Sequence, residues 1–333
     1  MNRLLNGVAA LLAAILIAGC ASASASAPLA TTSLSPASAS ARLSPSAAVP
    51  MVTEEQSARL TPSPTPLPPF PLQPCQQPVC TFTIGFPLQR PIPPGANQTV
   101  EQSYRFGSTQ NGKREVHHGV EFINKAGVPV LAAAEGEVVF AGSDEKEAFA
   151  TKRDFYGKVV ILRHQLPPYP LPIYTVYGHL LTIETHSGQT VRAGQKIGEV
   201  GLGGVAAGTH LHFEVRYGQN EYNAVRNPEL WFPPLLPDAG LLAGQFLDPQ
   251  GKPLVLENFV ILPLNQSQDP TAKRYLATYQ EAQMLGLPPW REGFAVNDLP
   301  AGKYFLTYIY THPVQLEFEI LPGQVTFLTI SAQ

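Results

Sequence analysis

Residues 208–216 read GTHLHFEVR and place two histidines, His210 and His212, two positions apart in a stretch of alternating character. In an extended chain, residues i and i+2 point to the same face and lie roughly 7 Å apart. This spacing suits one side chain that binds a metal ion and a second that contacts whatever the ion holds. The stretch is therefore predicted to be a strand that carries part of a site, although two histidines alone do not define one.

The sequence on either side, from residue 82 to about residue 233, consists of short apolar runs separated by glycine. β-Branched and aromatic residues dominate VPVLAAAEGEVVFAG (128–142), YGKVVILRH (156–164) and GQTVRAGQKIGEVG (188–201). Helical periodicity is nowhere sustained, so this segment is predicted to be an all-β domain. It has no GxGxxG, phosphate loop or nucleophile elbow, which leaves nucleotide chemistry and serine hydrolysis without support.

The composition excludes one broad class of partner. The 333-residue chain is 44% hydrophobic, which is enough for real cores in two domains. Its net charge of −3 and its 14% of charged residues argue against a nucleic-acid surface or a polybasic membrane patch. We therefore expect no nucleic-acid partner.

The N-terminus has the features of an export signal. Arg3 precedes an apolar run from Val8 to Ala18, and LIAGC ends in small residues before Cys20. A retained membrane helix is the alternative, but the run is shorter than the roughly 20 residues that span a bilayer. The pattern resembles a bacterial lipoprotein signal. That resemblance implies a signal peptide over residues 1–19, a lipid on Cys20 and an extracytoplasmic protein anchored to a membrane.

Residues 20–79 are predicted to form a disordered tether. Ala, Ser, Thr and Pro dominate most of this segment and supply too few large apolar groups to offset the entropy of ordering. Near its end lie Cys75 and Cys80, and in an oxidising compartment they predict a small disulfide-closed loop. A metal knuckle is the alternative, but it lacks a second Cys or His pair nearby.

Four histidines and one glutamate of the central segment fall beside glycines or strand ends: His117 and Glu121 in VHHGVEF, His179 in YGHL, and His210 and His212. In an ideal strand, positions 117 and 121 stand roughly 13 Å apart, too far to share a metal ion. Gly119 between them permits a sharp bend, which a shared site requires. Catalytic zinc sites use three protein ligands and leave the fourth position to water.

With their flanking residues, these motifs resemble the zinc metallopeptidases of the lysostaphin and LytM type, which cut peptides of the bacterial cell wall. The resemblance covers residues 87–232 and rests on HHGVE, AGVPVLAAAEGEVVFAG, YGHL and GTHLHFEVR, in the family's order. It implies a LytM-type β-sheet peptidase domain, which we assign to residues 80–234. It also implies Zn²⁺ as the cofactor, and hydrolysis of peptidoglycan stem or cross-link peptides by zinc-activated water.

Carried over position by position, the resemblance makes His117, Glu121 and His212 the metal ligands. His179 and His210 become two imidazoles beside the metal; we assign His210 as the base and His179 as the oxyanion stabiliser, although the sequence does not decide between them. Glu121 stands where the family has aspartate, and its extra methylene moves the carboxylate about 1.5 Å. Since glutamate also binds zinc, we expect metal binding to be retained with adjusted geometry.

Several neighbouring residues fall outside the functional positions of these motifs. His118 is interpreted as a surface residue or one behind the ligands, because a shift of register by one would put Phe122 in a ligand position. His164 and His186 are assigned to hairpin structure or solvent. Tyr169, in QLPPYPLPI (165–173), is assigned to a stiff hairpin tip, with a wall of the substrate groove as the alternative.

Residues 235–333 are predicted to form a second, smaller domain. Alternation of apolar and polar residues in VQLEFEI (314–320) and turns such as LPAG favour half-buried antiparallel strands in a β-sandwich. Short sequence motifs of this region are similar to those of carboxypeptidase regulatory-like, prealbumin-type domains. This resemblance implies a binding or spacing role. Between the strands, TAKRYLATYQEAQMLG (271–286) permits either a helix or a long excursion.

Three functions remain open at this point. The first is a lipid-anchored zinc endopeptidase that acts on peptidoglycan. The second is a non-catalytic relative that binds and activates a cell-wall amidase; such relatives usually lack several ligands, whereas here one ligand differs. The third is a lipoyl-like carrier, which GEVVFAG and VRAGQKIGEVG suggest. A carrier function would give the four histidines no role.

Overall fold

The computed structural model describes residues 74–266, 269 and 272–332. The predicted signal peptide, Cys20 and all of the predicted tether before residue 74 lie outside the described residues. Within the described part of the chain, no helix combines the length and the apolar character needed to cross a bilayer.

The described residues form an almost entirely β structure, in which the few helices are single 3₁₀ turns, so the predicted all-β class is confirmed. The strands are β1 Val79–Phe82, β2 Val120–Ile123, β3 Pro129–Leu131, β4 Gly136–Ser143, β5 Lys158–His164, β6 Ile173–Gly178, β7 Leu180–Ile183, β8 Thr190–Val191, β9 Lys196–Val200, β10 His210–Tyr217, β11 Val225–Arg226, β12 Ala239–Leu247, β13 Phe259–Pro263, β14 Arg274–Leu276, β15 Phe294–Pro300, β16 Gly302–Ile309, β17 Pro313–Ile320 and β18 Val325–Ser331.

A seven-stranded sheet in the order β11-β10-β6-β5-β4-β8, with β2 also paired to β10, forms the central domain. The alternation of β10 sends Leu211, Phe213 and Val215 to a common core. The three-stranded sheet β3-β9-β7 contributes to the same core. The register sets His212 opposite Glu121 on β2 and opposite Gly178 on β6. Strand pairing therefore gathers residues that are far apart in sequence around β10.

The C-terminal region consists of two four-stranded sheets, β1-β18-β12-β15 and β14-β13-β16-β17. Apolar side chains from both sheets form one core, including Phe246 and Ile330 from the first and Phe259 and Leu306 from the second. This is the predicted sandwich arrangement, while the likeness to prealbumin-type domains stays a prediction. Of the two alternatives for residues 271–286, the long excursion is found: strand β14, a loop and a 3₁₀ turn at Ala282–Met284.

Strand β1 belongs to the C-terminal sheet, a pairing that the sequence did not predict. It lies antiparallel to β18, with Val79 opposite Leu328 and Phe82 opposite Val325. The predicted domain boundary at residue 80 thus falls inside a strand of that sheet. Cys75, just before β1, and Cys80, within β1, form a disulfide, which confirms the predicted loop and excludes the metal knuckle.

Buried polar contacts join the two domains. The Glu229 side chain is 1% exposed and accepts two hydrogen bonds from Arg105, at 2.6 and 2.8 Å. The same carboxylate accepts the backbone N–H of Asn297 at 2.8 Å. Tyr279 packs so closely on Gly107 that a Cβ there would lie 2.6 Å from the Tyr279 Cδ1 atom. The Arg105–Glu229 pair lies within the central domain, so the contacts that cross to the C-terminal domain are the Asn297–Glu229 hydrogen bond and the packing of Tyr279 on Gly107.

Candidate active site

Three side chains that the sequence predicted as metal ligands converge in the central domain. His117 lies just before β2, Glu121 lies on β2, and His212 lies opposite Glu121 on β10. The His117 Nε2 atom is 3.3 Å from His212 Nδ1 and 3.7 Å from Glu121 Oε1. The three candidate ligand atoms all lie within 4.8 Å of one another. One divalent ion can therefore contact all three.

Gly119 is needed here for a reason other than the predicted bend. A Cβ at this position would lie 2.6 Å from the backbone oxygen of Phe213 and 2.8 Å from His212 Nε2. Real Cβ atoms essentially never approach other atoms so closely. The absent side chain lets the backbone between His117 and Glu121 lie directly against β10, which brings the ligands from the two strands together.

Hydrogen bonds leave one ring nitrogen of each ligand histidine free for a metal. The Nδ1 atom of His117 lies 2.8 Å from the backbone oxygen of Tyr104, and the Nε2 atom of His212 lies 3.0 Å from Glu214 Oε1. Both partners only accept hydrogen bonds, so each of these nitrogens carries the proton. The other nitrogens, His117 Nε2 and His212 Nδ1, are left with lone pairs. Two neutral imidazoles and a carboxylate form a donor set that fits Zn²⁺.

His179 and His210 lie beside the three ligands, with their ring centroids 4.8 Å apart. The Nδ1 atoms face the backbone oxygens of Tyr156, at 3.2 Å, and Gly208, at 2.7 Å. The Nε2 atom of His210 is buried without a hydrogen-bond partner and lies 3.5 Å from Glu121 Oε1. His210 can therefore accept a proton through Nε2.

Burial keeps these imidazoles neutral. Desolvation and the neighbouring His212 lower the pKa of His179 to about 3. Desolvation also lowers the pKa of His210, against the opposing effect of the Glu121 charge. His179 has a φ of 62°, in the left-handed region that non-glycine residues rarely adopt. Such conformations cost about 1–3 kcal/mol and occur often at functional sites.

A buried polar network behind His212 is the part of the site that the sequence analysis missed. Glu214 is fully buried and accepts hydrogen bonds from His212, from Arg216 Nε at 2.8 Å and from the Tyr156 hydroxyl. Desolvation would raise the pKa of Glu214, but the charge of Arg216 and these hydrogen bonds lower it to about 2. The ionised carboxylate orients the His212 ring. The sequence could have indicated this network, because the alternation of β10 places residues 210, 212, 214 and 216 on one face.

An open cleft of about 890 Å³ gives access to the site. Its lining includes Tyr104, Arg114, Lys152, Val205 and Tyr222 in addition to the ligands. The Tyr104 ring stacks on the ligand His117 with centroids 4.1 Å apart. A cleft of this volume is large enough for several residues of an extended peptide.

The histidines of the central domain outside the five predicted site positions differ in burial. His118 is 5% exposed and stacks on Tyr222, so its surface interpretation is wrong. His164 is buried and bonds to the Glu135 backbone oxygen and the Thr175 hydroxyl, as expected for a structural residue. His186 is exposed, in agreement with a solvent role, and Phe122 lies in the core.

The hairpin tip around Tyr169 does not contribute to the cleft. Tyr169 is buried against Trp231, with ring centroids 5.0 Å apart, and does not line the space above the ligands. The alternative of a groove wall is therefore wrong.

Comparison with known proteins supports the assignment of the central domain. Residues 115–224 match the family model described as Peptidase family M23, and they include all five predicted site positions. The chain contains an M23 peptidase domain. This result confirms the resemblance to lysostaphin and LytM-type peptidases.

The curated relatives of the M23 domain include an activator and a peptidase. The murein hydrolase activator NlpD of Escherichia coli (strain K12) is 31% identical over 121 residues, which are 36% of this chain and 27% of NlpD. The DD-carboxypeptidase/endopeptidase Mpg of Neisseria meningitidis serogroup B is 33% identical over 119 residues, 34% of this chain and 24% of Mpg. The chain thus spans about a quarter of the length of either relative.

Solved structures similar to the M23 domain include a zinc-containing peptidase from Vibrio cholerae. It is 27% identical, covers 40% of this chain and 37% of its own, and has a TM-score of 0.31. The catalytic domain of lysostaphin from Staphylococcus simulans is 24% identical, covers 43% of this chain and 86% of its own, and has a TM-score of 0.29.

Proposed function

We propose that this protein is a zinc metalloendopeptidase that hydrolyses peptide bonds in the stem or cross-link peptides of peptidoglycan. The observation that supports this proposal is the set of three metal-binding side chains and two further neutral imidazoles at one cleft. Each of the five positions has a side chain able to act: a carboxylate at residue 121 and imidazoles at 117, 179, 210 and 212.

In this proposal, His117, Glu121 and His212 hold the zinc ion. Bound zinc supplies a Lewis acid that makes water nucleophilic near neutral pH and polarises the scissile carbonyl. Glu214 keeps the proton of His212 on Nε2, and the Tyr104 backbone oxygen keeps that of His117 on Nδ1. These two contacts preorganise the lone pairs of both ligands.

We assign His210 as the general base. Its Nδ1 proton is held by the Gly208 oxygen, so its unpartnered Nε2 atom accepts the proton of the attacking water. The same atom later gives that proton to the amine nitrogen as the peptide C–N bond breaks. His179 is assigned to the oxyanion, to which its neutral ring donates a hydrogen bond in the tautomer that carries the proton on Nε2.

The second candidate function is activation of a cell-wall amidase without turnover. Similarity to an activator at 31% identity favours it, and similarity to a peptidase at 33% identity favours the first. The complete site supports the enzyme, because an activator has no use for a buried, unpartnered nitrogen beside three metal-binding groups.

Zinc content and peptide hydrolysis test the two functions together. The full chain is compared with His212→Ala and Glu121→Asp, using purified cross-linked muropeptides as the substrate. We expect about one zinc per wild-type chain, loss of zinc and hydrolysis in His212→Ala, and retention of both in Glu121→Asp. If wild type binds zinc but shortens no muropeptide while it stimulates an added amidase, the activator function replaces the enzyme.

We also propose that a lipid on Cys20 anchors the mature protein to a membrane of the cell envelope. Support comes from the sequence LIAGC at residues 16–20. Cys20→Ala is expected to release the protein from the membrane fraction or to leave the signal uncleaved. Unchanged fractionation and mass in this variant would exclude the anchor.

A further inference from the structure

A second cavity, of about 400 Å³, lies between the loop of residues 101–111 and the C-terminal domain. We call it the interdomain groove. Three residues that line it, Glu101, Ser103 and Gln110, also line the cleft above the metal ligands. The cleft and the groove therefore adjoin each other at these three residues.

We propose that the interdomain groove binds the saccharide strand that carries the peptide substrate. This inference rests on the proposed function, since a peptidoglycan substrate joins the peptide to a saccharide. It assigns to the C-terminal domain a direct part in binding, next to the cleft rather than away from it.

The groove has the chemistry that a sugar requires. Tyr275, on β14, is 66% exposed and offers a ring face for stacking on the apolar face of a sugar. The amides of Gln102, Gln110 and Asn258 also line the groove. Each amide combines hydrogen-bond donors with an acceptor, which matches hydroxyl and acetamido groups.

The charges along the groove favour a neutral ligand. The groove is lined by the carboxylates of Glu101 and Glu257 and by the cations of Lys273, Arg274 and Arg105. Because Arg105 is paired with Glu229, two charges of each sign remain and neither sign dominates. Balanced charge disfavours a polyanion or a polycation, because such ligands require a surface of one sign. A neutral saccharide meets this requirement.

The two walls of the groove are held together by direct contacts. Arg274 donates a hydrogen bond to Gln102 Oε1 at 2.7 Å, and the Gln280 backbone N–H donates to the Gly107 oxygen at 3.0 Å. Small-molecule sites occur preferentially at such domain interfaces. A groove with fixed walls loses little entropy when it binds a ligand.

Binding of a neutral oligosaccharide of N-acetylglucosamine tests the proposal on the full chain by calorimetry. Such an oligomer lacks the free carboxylate that amidase digestion leaves on each muramic acid. Tyr275→Ala is compared with Tyr275→Phe, which keeps the ring, and with Ile309→Ala, which removes an exposed apolar side chain outside the groove. We expect Tyr275→Ala to weaken glycan binding about tenfold, and the two controls to bind like wild type. Thermal unfolding and zinc content verify that each variant is folded.

Failure of this inference is distinguishable from failure of the proposed function. Wild type that binds no glycan, or Tyr275→Ala that binds it as well as wild type, overturns the saccharide site. So does loss of affinity for an added amidase in Tyr275→Ala with glycan binding unchanged, which would make the groove a protein interface. Glycan binding that depends on Tyr275 in a protein that cleaves no muropeptide supports the site and overturns the endopeptidase.

Discussion

Replacement of Glu214 by glutamine tests whether the buried network behind His212 controls the metal site. The carboxylate accepts from His212 and Tyr156 through Oε1 and from Arg216 through Oε2. Glutamine has one acceptor oxygen and one NH₂ donor. If its oxygen faces Arg216, its NH₂ group faces His212 Nε2, and two donors then meet.

The conflict is relieved when the His212 proton moves from Nε2 to Nδ1, the atom that faces the metal site. We therefore expect Glu214→Gln to lower zinc affinity about 10- to 100-fold, the usual effect of changing such a partner. This loss equals about 1.4 to 2.7 kcal/mol of binding free energy. The metal-free protein should also lose about 3 kcal/mol of stability, because Arg216 keeps its buried charge without a counter-charge.

Zinc dissociation constants measured by competition with a chromophoric chelator, together with urea unfolding of the metal-free protein, separate the two effects. Tyr156→Phe is the matched control, because it removes one donor to the same carboxylate and leaves the His212–Glu214 contact in place. It should lower stability with a smaller change in zinc affinity. Wild-type zinc affinity in a destabilised but folded Glu214→Gln would refute the argument that Glu214 controls the His212 proton.

Three further changes test other parts of the structure. Gly119→Ala should abolish zinc binding or unfold the domain, because its Cβ would lie 2.6 Å from the Phe213 oxygen; wild-type metal content would contradict this. Gly107→Ala, at a φ of 76° and with Tyr279 2.6 Å away, should cost at least about 1–2 kcal/mol in urea unfolding, and an unchanged midpoint would exclude the clash. Burial raises the pKa of Glu292 to about 8, above its unfolded value near 4.5, so its contribution to stability should be complete below pH 4.5 and lost as pH rises through 8. Relative to wild type, Glu292→Gln should grow more stable over that pH range, and parallel stability curves would show that Glu292 does not titrate there.

The sequence was sufficient for the features that depend on local pattern. Alternation predicted β10 and placed its two histidines on one face, whereas the three ligands that the structure brings together came from the resemblance to LytM-type peptidases. Composition and alternation also predicted the C-terminal sandwich. Local backbone geometry determines these features, so a single chain segment carries the information.

Features that depend on long-range packing were not predictable in this way. Tyr156 reaches Glu214 across 58 positions, and β1 pairs with a strand about 250 residues away. No periodicity encodes such contacts. The close approach of β10 to Gly119 was not predictable for the same reason, and it adds a packing requirement to the predicted bend.

The pairing of β1 with β18 determines how the molecule carries a mechanical load. Any tension applied to the chain upstream of Cys75 reaches the folded part through β1, whose backbone hydrogen bonds go to the C-terminal sheet. That sheet resists the pull before the seven-stranded sheet does. Detachment of β1 from β18 would pass such a pull on to the chain that leads into the seven-stranded sheet.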